Sequence, residues 1–277
     1  MTLAQAIESC TKKMREAGLE DAAFEARELV AALCPFPRGQ LNLHYAEPFE
    51  RTQELEELLR RRIDGEPLQY LLGEWEFMSL PFYVGEGVLI PRPETEILAE
   101  FAIRQCGEKP LRVADLCSGS GCIGISVAKF CPNAHVWLVE KSARAFSYLT
   151  RNVRLNGVEN VTPVLGDIFA PDLGLPAEKF DLILSNPPYI RSDELSTLQR
   201  EVQREPSAAL DGGVDGLDFY RGIAAHYSDR IAPGGWLAVE YGDGQEQAVL
   251  DIFKPHFSHC EIVRDLNAIA RVLLAQK

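Results

Sequence analysis

Three stripes of apolar residues at helical spacing mark the first part of the chain. Leu3, Ile7 and Met14 form one; Phe24, Leu29, Val30 and Leu33 form a second that Pro35 closes; Leu55, Leu58, Leu59 and Ile63 form a third that ends at Asp64-Gly65. The pattern predicts a small helical bundle over residues 1–73. Between 74 and 91 the period changes: Trp75, Phe77, Leu80, Phe82, Val84, Val88 and Ile90 alternate with small or polar residues, as in a β-hairpin linker. From Pro93, at a first helical position followed by Glu94 and Glu96, apolar runs alternate between strand and helix. Strands are predicted at 111–116, 135–139, 161–165, 180–185, 236–240, 259–264 and 269–275. Helices fall at 93–106, 121–130, 143–156, 217–231 and 245–254. This alternation is that of a doubly wound, seven-stranded, mostly parallel sheet, an α/β domain over 92–277, whose ligands bind at the carboxyl ends of the strands.

Composition changes the picture little: 46% hydrophobic and 25% charged residues suit an ordinary globular protein of 277 residues. No apolar stretch is long enough to span a membrane, and the N-terminus reads as an amphipathic helix start without a signal peptide's apolar core. Seven cysteines, odd in number and without a CxxC pair, then read as free thiols in a reducing cytoplasm. Five scattered histidines show no metal-ligand spacing, so no metal site is expected. The net charge of −13 is spread over both parts, −5 in the first 75 residues and −8 beyond. A protein that grips duplex nucleic acid carries a basic surface, so stable nucleic-acid binding is not expected. Arg60-Arg61-Arg62 reads as a solvated helix face.

Four chemical signals sit at successive predicted strand ends. Asp115-Leu116-Cys117-Ser118-Gly119-Ser120-Gly121 joins the first strand to a helix; its small residues permit close backbone approach, and the helix start offers free N–H groups. Glu140 ends the next strand, where a carboxylate can accept from a ribose diol. Gly166-Asp167-Ile168-Phe169 ends a third, with an acid for an exocyclic amine and apolar neighbours for an adenine. Asn186-Pro187-Pro188-Tyr189 follows the strand 180–185. Its prolines fix the backbone and lack N–H donors, its carbonyls and amide can take two hydrogens, and its tyrosine can stack on a planar group. Taken singly, Asn186–Tyr189 also suits a proline-rich turn, and Glu140 or Asp167 a helix cap. Together the four indicate a nucleoside-containing cofactor. Asp115 beside the loop would repel a pyrophosphate but suits a ligand with a cationic amino group, such as S-adenosylmethionine.

These residues, in this order, resemble a class I S-adenosylmethionine-dependent methyltransferase. More narrowly the whole chain is similar to the bacterial release factor glutamine methyltransferases, the HemK/PrmC family, on Asn186–Tyr189, on Gly65-Glu66-Pro67-Leu68-Gln69-Tyr70-Leu71-Leu72-Gly73, and on Ile90-Pro91-Arg92-Pro93-Glu94-Thr95-Glu96. Asn-Pro-Pro-Tyr alone is shared with adenine and ribosomal RNA methyltransferases; the Ile90–Glu96 segment is the more specific. The resemblance implies methyl transfer from S-adenosylmethionine, with S-adenosylhomocysteine as product, to the side-chain amide nitrogen of the glutamine in the Gly-Gly-Gln motif of class 1 release factors.

Residue by residue, the resemblance puts Asn186, Pro187 and Tyr189 at the catalytic centre, with Pro188 and Arg92 also facing the substrate. It puts Asp115 at the methionine amino group, Cys117, Ser118, Gly119, Ser120 and Gly121 in the cofactor loop, Glu140 on the ribose, and Asp167 with Ile168 on the adenine; Asn186 also borders the cofactor. The helical domain would recognise the release factor, and the protein would act as a cytoplasmic monomer. Arg92 can equally be a hinge paired with an acid. The family has glycine where this chain has Cys117, which at positive φ would cost about 1–3 kcal/mol and weaken cofactor binding. The competing readings are a methyltransferase for an exocyclic amine of rRNA or DNA or for a ribosomal-protein glutamine, a non-catalytic nucleoside-binding protein, and a dehydrogenase.

Overall fold

The structure is a computed structural model that describes residues 1–277, and the chain divides into two units. The smaller comprises Met1–Glu74 together with Gln199–Arg204, the larger Trp75–Leu198 with Glu205–Lys277.

The small unit holds helices α1 (Leu3–Glu16), α2 (Ala22–Ala32), α3 (Thr52–Ile63) and α4 (Leu68–Leu72), with a 3₁₀ segment at Arg38–Leu43. The Thr2 hydroxyl accepts from Gln5 N, and Gln5 Oε1 accepts from Thr2 N, a reciprocal cap that starts α1. Leu3, Ala6, Cys10 and Met14, three or four apart, form its buried stripe, and α1 packs on α2, where Ala26, Leu29 and Val30 are buried. Arg62 of α3 is buried among carboxylates. It donates to both oxygens of Glu25 at 2.6 and 2.8 Å and lies 2.6 Å from Glu201 of the inserted hexapeptide.

The large unit opens with the hairpin of β1 (Glu74–Phe77) and β2 (Leu80–Tyr83), so residues 75–91 belong to the domain that follows them. Then come α5 (Glu96–Cys106), β3 (Arg112–Leu116), α6 (Cys122–Phe130), β4 (His135–Glu140), α7 (Ala143–Asn156), β5 (Val161–Leu165), β6 (Phe180–Ser185), α8 (Asp218–Tyr227), β7 (Ile231–Glu240), α9 (Glu246–Phe253), β8 (His259–Arg264) and β9 (Ala270–Gln276). The seven-stranded sheet has the order β5-β4-β3-β6-β7-β9-β8, parallel except for β9, which runs antiparallel to both neighbours.

Side chains alternate along each strand. Val113, Val136, Leu138, Leu182 and Leu184 face α5, α6 and α7. Ala114, Leu116, Val139, Ile183 and Val239 face α8 and α9. Both faces are covered, which is why the central strands read as continuous apolar runs. The winding reverses between β3 and β6, and this places a crevice beyond their carboxyl ends.

Two elements differ from the sequence expectation. Pro93–Thr95 is a separate 3₁₀ turn before α5. Strand β7 begins at Ile231, ahead of Pro233-Gly234-Gly235, because the chain bulges there: the register jumps from Phe180↔Ile231 to Leu182↔Trp236. Gly235 allows the bulge, since a Cβ on it would stand 2.8 Å from Asp181 O. No helix is long and apolar enough to cross a membrane.

Candidate active site

Four strand ends and two loops of the large unit enclose a cavity of about 340 Å³. Its walls include Gly87–Arg92 and Thr95, residues 117–120 after β3, Val139 and Glu140 at the end of β4, Asp167 and Ile168 after β5, and Asn186 and Pro188 after β6. Pro206, Ala208, Ala209 and Phe219 complete it.

The loop after β3 turns by alternating into left-handed backbone: Cys117 has φ +63°, Gly119 +56° and Gly121 +83°. Ser118 N donates to Val139 O at 2.9 Å, and the Ser118 hydroxyl donates to Asp115 O at 2.8 Å. Gly119 N donates to Glu140 Oε2 at 2.8 Å, and Ser142 N donates to Glu140 Oε1 at 2.6 Å. Glu140 is thus held by two loops while its second lone pairs remain available. Burial raises its pKa against the pull of these N–H groups. Asp167 is more open; the ammonium of Lys141, 2.8 Å from its Oδ2, and the amide of Phe169 lower its pKa.

Asp115 lies apart from the cavity. The strand parity that puts Val113 against α6 puts Asp115 there too, fully buried, with Oδ2 accepting from Gly124 N at 3.0 Å and Oδ1 without a partner. Burial lifts its pKa to about 7. Its contacts shape the loop from behind. Cys117 walls the cavity, and burial, with Glu140 and Asp115 nearby, raises its thiol pKa, which keeps the sulfur protonated.

Of the Asn-Pro-Pro-Tyr segment, Asn186 and Pro188 wall the cavity. Pro187 is buried, and the Tyr189 ring packs against Gly242 while its carbonyl accepts from Gln245 Nε2 at 2.9 Å. Arg92 walls the cavity and pairs with Glu205, whose other oxygen accepts from Ile90 N at 2.9 Å. Gly121 closes the loop behind the wall.

Sequence reasoning did not single out Thr95, Glu205 or Glu240. Glu240 carried a usable signal: β4 ends Trp137-Leu138-Val139-Glu140 and β7 ends Trp236-Leu237-Ala238-Val239-Glu240, two acids closing apolar strands at the same edge of one sheet.

The sheet, its crevice, the acid- or glycine-bearing ends of β3, β4 and β5 and the Asn-Pro-Pro-Tyr loop after β6 define a methyltransferase of the doubly wound class. A family model described as "Methyltransferase small domain" matches residues 95–213, and one described as "PrmC N-terminal domain" matches residues 5–73. The chain is 39% identical to a release factor glutamine methyltransferase of Thermodesulfovibrio yellowstonii, over 91% of this chain and 92% of that one. It is 42% identical to one of Geobacter sulfurreducens, over 94% and 91%. A methyltransferase structure from Pyrococcus furiosus shares the fold, with a TM-score of 0.55 at 17% identity, covering 82% of this chain and 99% of that one. The chain belongs to the release factor glutamine methyltransferase family.

Proposed function

We propose that this protein methylates the side-chain amide nitrogen of the glutamine in the Gly-Gly-Gln motif of peptide chain release factors, with S-adenosylmethionine as donor. One observation carries the reading: Asn186 and Pro188 open on the same cavity as Gly119, Glu140 and Ile168. A planar amide and a nucleoside-bearing donor can therefore meet in one enclosed space. The donor set fits the cofactor, with a carboxylate in reach of a ribose diol at Glu140 and apolar surface at Val139, Ile168 and Phe219 for an adenine. Asp115 supports the loop from behind.

Bound S-adenosylmethionine supplies a methyl group on sulfonium sulfur: transfer breaks one S–C bond, leaves its electron pair on sulfur as a thioether, and forms one N–C bond. The amide nitrogen loses one proton to water. That nitrogen is a weak nucleophile because its lone pair is delocalised into the carbonyl, so the protein's task is placement more than base catalysis. Asn186 Oδ1 and the Pro187 carbonyl would accept the two amide hydrogens. These bonds strengthen as positive charge develops on nitrogen. Tyr189, turned toward Gly242, would back the segment, and Arg92, paired with Glu205, would hold the 90–92 wall. The helical unit would bind the release factor away from the reacting glutamine, in the cytoplasm where release factors work.

The test is incubation with labelled donor and unmethylated release factor, followed by mass spectrometry of the Gly-Gly-Gln peptide. A methyl mass on that glutamine is expected. Asn186→Ala should lower turnover by about 10²-fold or more and leave donor binding intact. Full turnover in Asn186→Ala would overturn the assignment.

A further inference from the structure

Asn186 does not stand alone at the cavity wall. Its Nδ2 donates to Thr95 Oγ1 at 3.1 Å, and the Thr95 hydroxyl donates to Glu240 Oε2 at 2.7 Å. Thr95 is 2% exposed and Glu240 3%. The hydroxyl has one proton, and it is committed to the carboxylate, so toward Asn186 it can only accept. An ionised Glu240 therefore dictates which end of the Asn186 amide turns toward Thr95, and it leaves Oδ1 as the free end of a side chain that lines the cavity.

We infer that Thr95 and Glu240 are positioning residues that lock the Asn186 amide with its oxygen available to the substrate. This rests on the proposed role of Asn186 as the acceptor for the substrate amide, and adds what sets its orientation. Without the lock the two ends of an asparagine amide are nearly isosteric, and the flipped side chain would present N–H donors to the substrate's own N–H donors. The same argument gives the chain a direction that depends on charge. Protonated Glu240 can donate to Thr95 Oγ1, the hydroxyl then donates to Asn186 Oδ1, and the amide is held the wrong way round.

The groups facing Glu240 are Thr95 and Glu94 before α5, Cys122 of α6, Asn186 and Tyr189 after β6, Tyr220 of α8 and Arg271 of β9. Tyr220 donates to the Glu240 carbonyl at 2.9 Å. Burial is the largest influence on the carboxyl and raises its pKa to about 7, against the hydrogen bonds of Thr95 and Asn186 and the charge of Arg271. An acid raised in this way loses its charge as pH falls through that value, so kcat should fall on the acidic side of neutrality.

The experiment compares methyl transfer to release factor by the wild type, Thr95→Val, Thr95→Ser, Glu240→Gln and Asn186→Ala across pH 5.5–8.5. Thr95→Val should lower kcat by about 10–100-fold, the range seen when a supporting partner of a functional ligand is removed, with the KM for donor changed less than about threefold. Thr95→Ser should restore most of the rate. In Glu240→Gln the acidic fall in kcat should shrink to what Asp115, the other acid raised to about 7, contributes, because a carboxamide does not titrate in this range; this outcome also decides the matter if Thr95→Val does not fold. Wild-type kcat in Thr95→Val, no recovery in Thr95→Ser, or an unchanged acidic fall in Glu240→Gln would each overturn the inference. If Asn186→Ala collapses while Thr95→Val does not, only the lock fails; if Asn186→Ala is fully active, the grip itself fails.

Discussion

Cys117 shows how one residue can be legible in kind and not in consequence. The sequence placed it in the loop where the family has glycine, and its φ of +63° is the left-handed backbone for which glycine is suited. Left-handed backbone costs a side-chain-bearing residue about 1–2 kcal/mol. Glycine at that position would remove the cost but forfeits about 0.5–1 kcal/mol of chain entropy, and the side chain's packing against the apolar cluster under α8 and α9 would also be lost. Cys117→Gly should therefore melt within about 2–4 °C of the wild type, the shift that corresponds to roughly 1 kcal/mol. A larger drop in a calorimetric scan would show that the sulfur's packing dominates, a larger rise that strain does. Asp115 and Glu240 mark the limit of residue-level reading. Both are acids at or near strand ends on the same face of the sheet, and neither walls the cavity; what each touches depends on partners far off in sequence, 145 residues for Thr95 and Glu240.

At the scale of elements, the apolar periodicity revealed the strands and their order of appearance, because burial on both faces writes continuous apolar runs into β3, β4, β6 and β7. It missed the start of β7, where Pro233-Gly234-Gly235 signals a turn and the backbone instead bulges within the strand. The hairpin is legible in the alternation of its flanking residues but not in its turn. Its turn residues Met78 and Ser79 both have positive φ, 52° and 58°, with no asparagine or glycine to announce it. The alternation of flanking residues and the bond from Met78 N to Glu96 Oε1, at 2.7 Å, hold it in place. Ser79 is exposed, so Ser79→Gly should raise stability by about 1 kcal/mol in denaturant melts. No gain would mean that the turn is stabilised by contacts of the serine itself. Segment 90–96 is fixed along its length: Glu205 holds Ile90 N and Arg92, Thr95 joins Glu240 and Asn186, and Glu96 holds the hairpin. In sequence this stretch is a family signature; in the structure its hydrogen bonds give Arg92, Thr95 and Glu96 a task each.

For the whole molecule, the helical region and the sheet domain were readable from the change in period near residue 74. The hexapeptide Gln199–Arg204 was not, since its contacts with Asp64 span 136 to 140 residues and carry no local pattern. Arg62 is its anchor. Replacing Arg62 with Met would leave Glu25 and Glu201 facing each other without a cation, one of them buried. Breaking such a pair costs about 3–5 kcal/mol, measurable as an earlier transition of the helical unit in denaturant. A transition at the wild-type midpoint would show that the hexapeptide is held by something other than this charge cluster.

The chain passes between its two units three times, at 74/75, 198/199 and 204/205. Shuffling within this family therefore has a discontinuous module. A chimera that replaces residues 1–74 of this chain with a relative's, leaving 199–204 behind, separates Glu201 from its Arg62. Functional recombinants should be those that carry the six-residue passenger along with the helices.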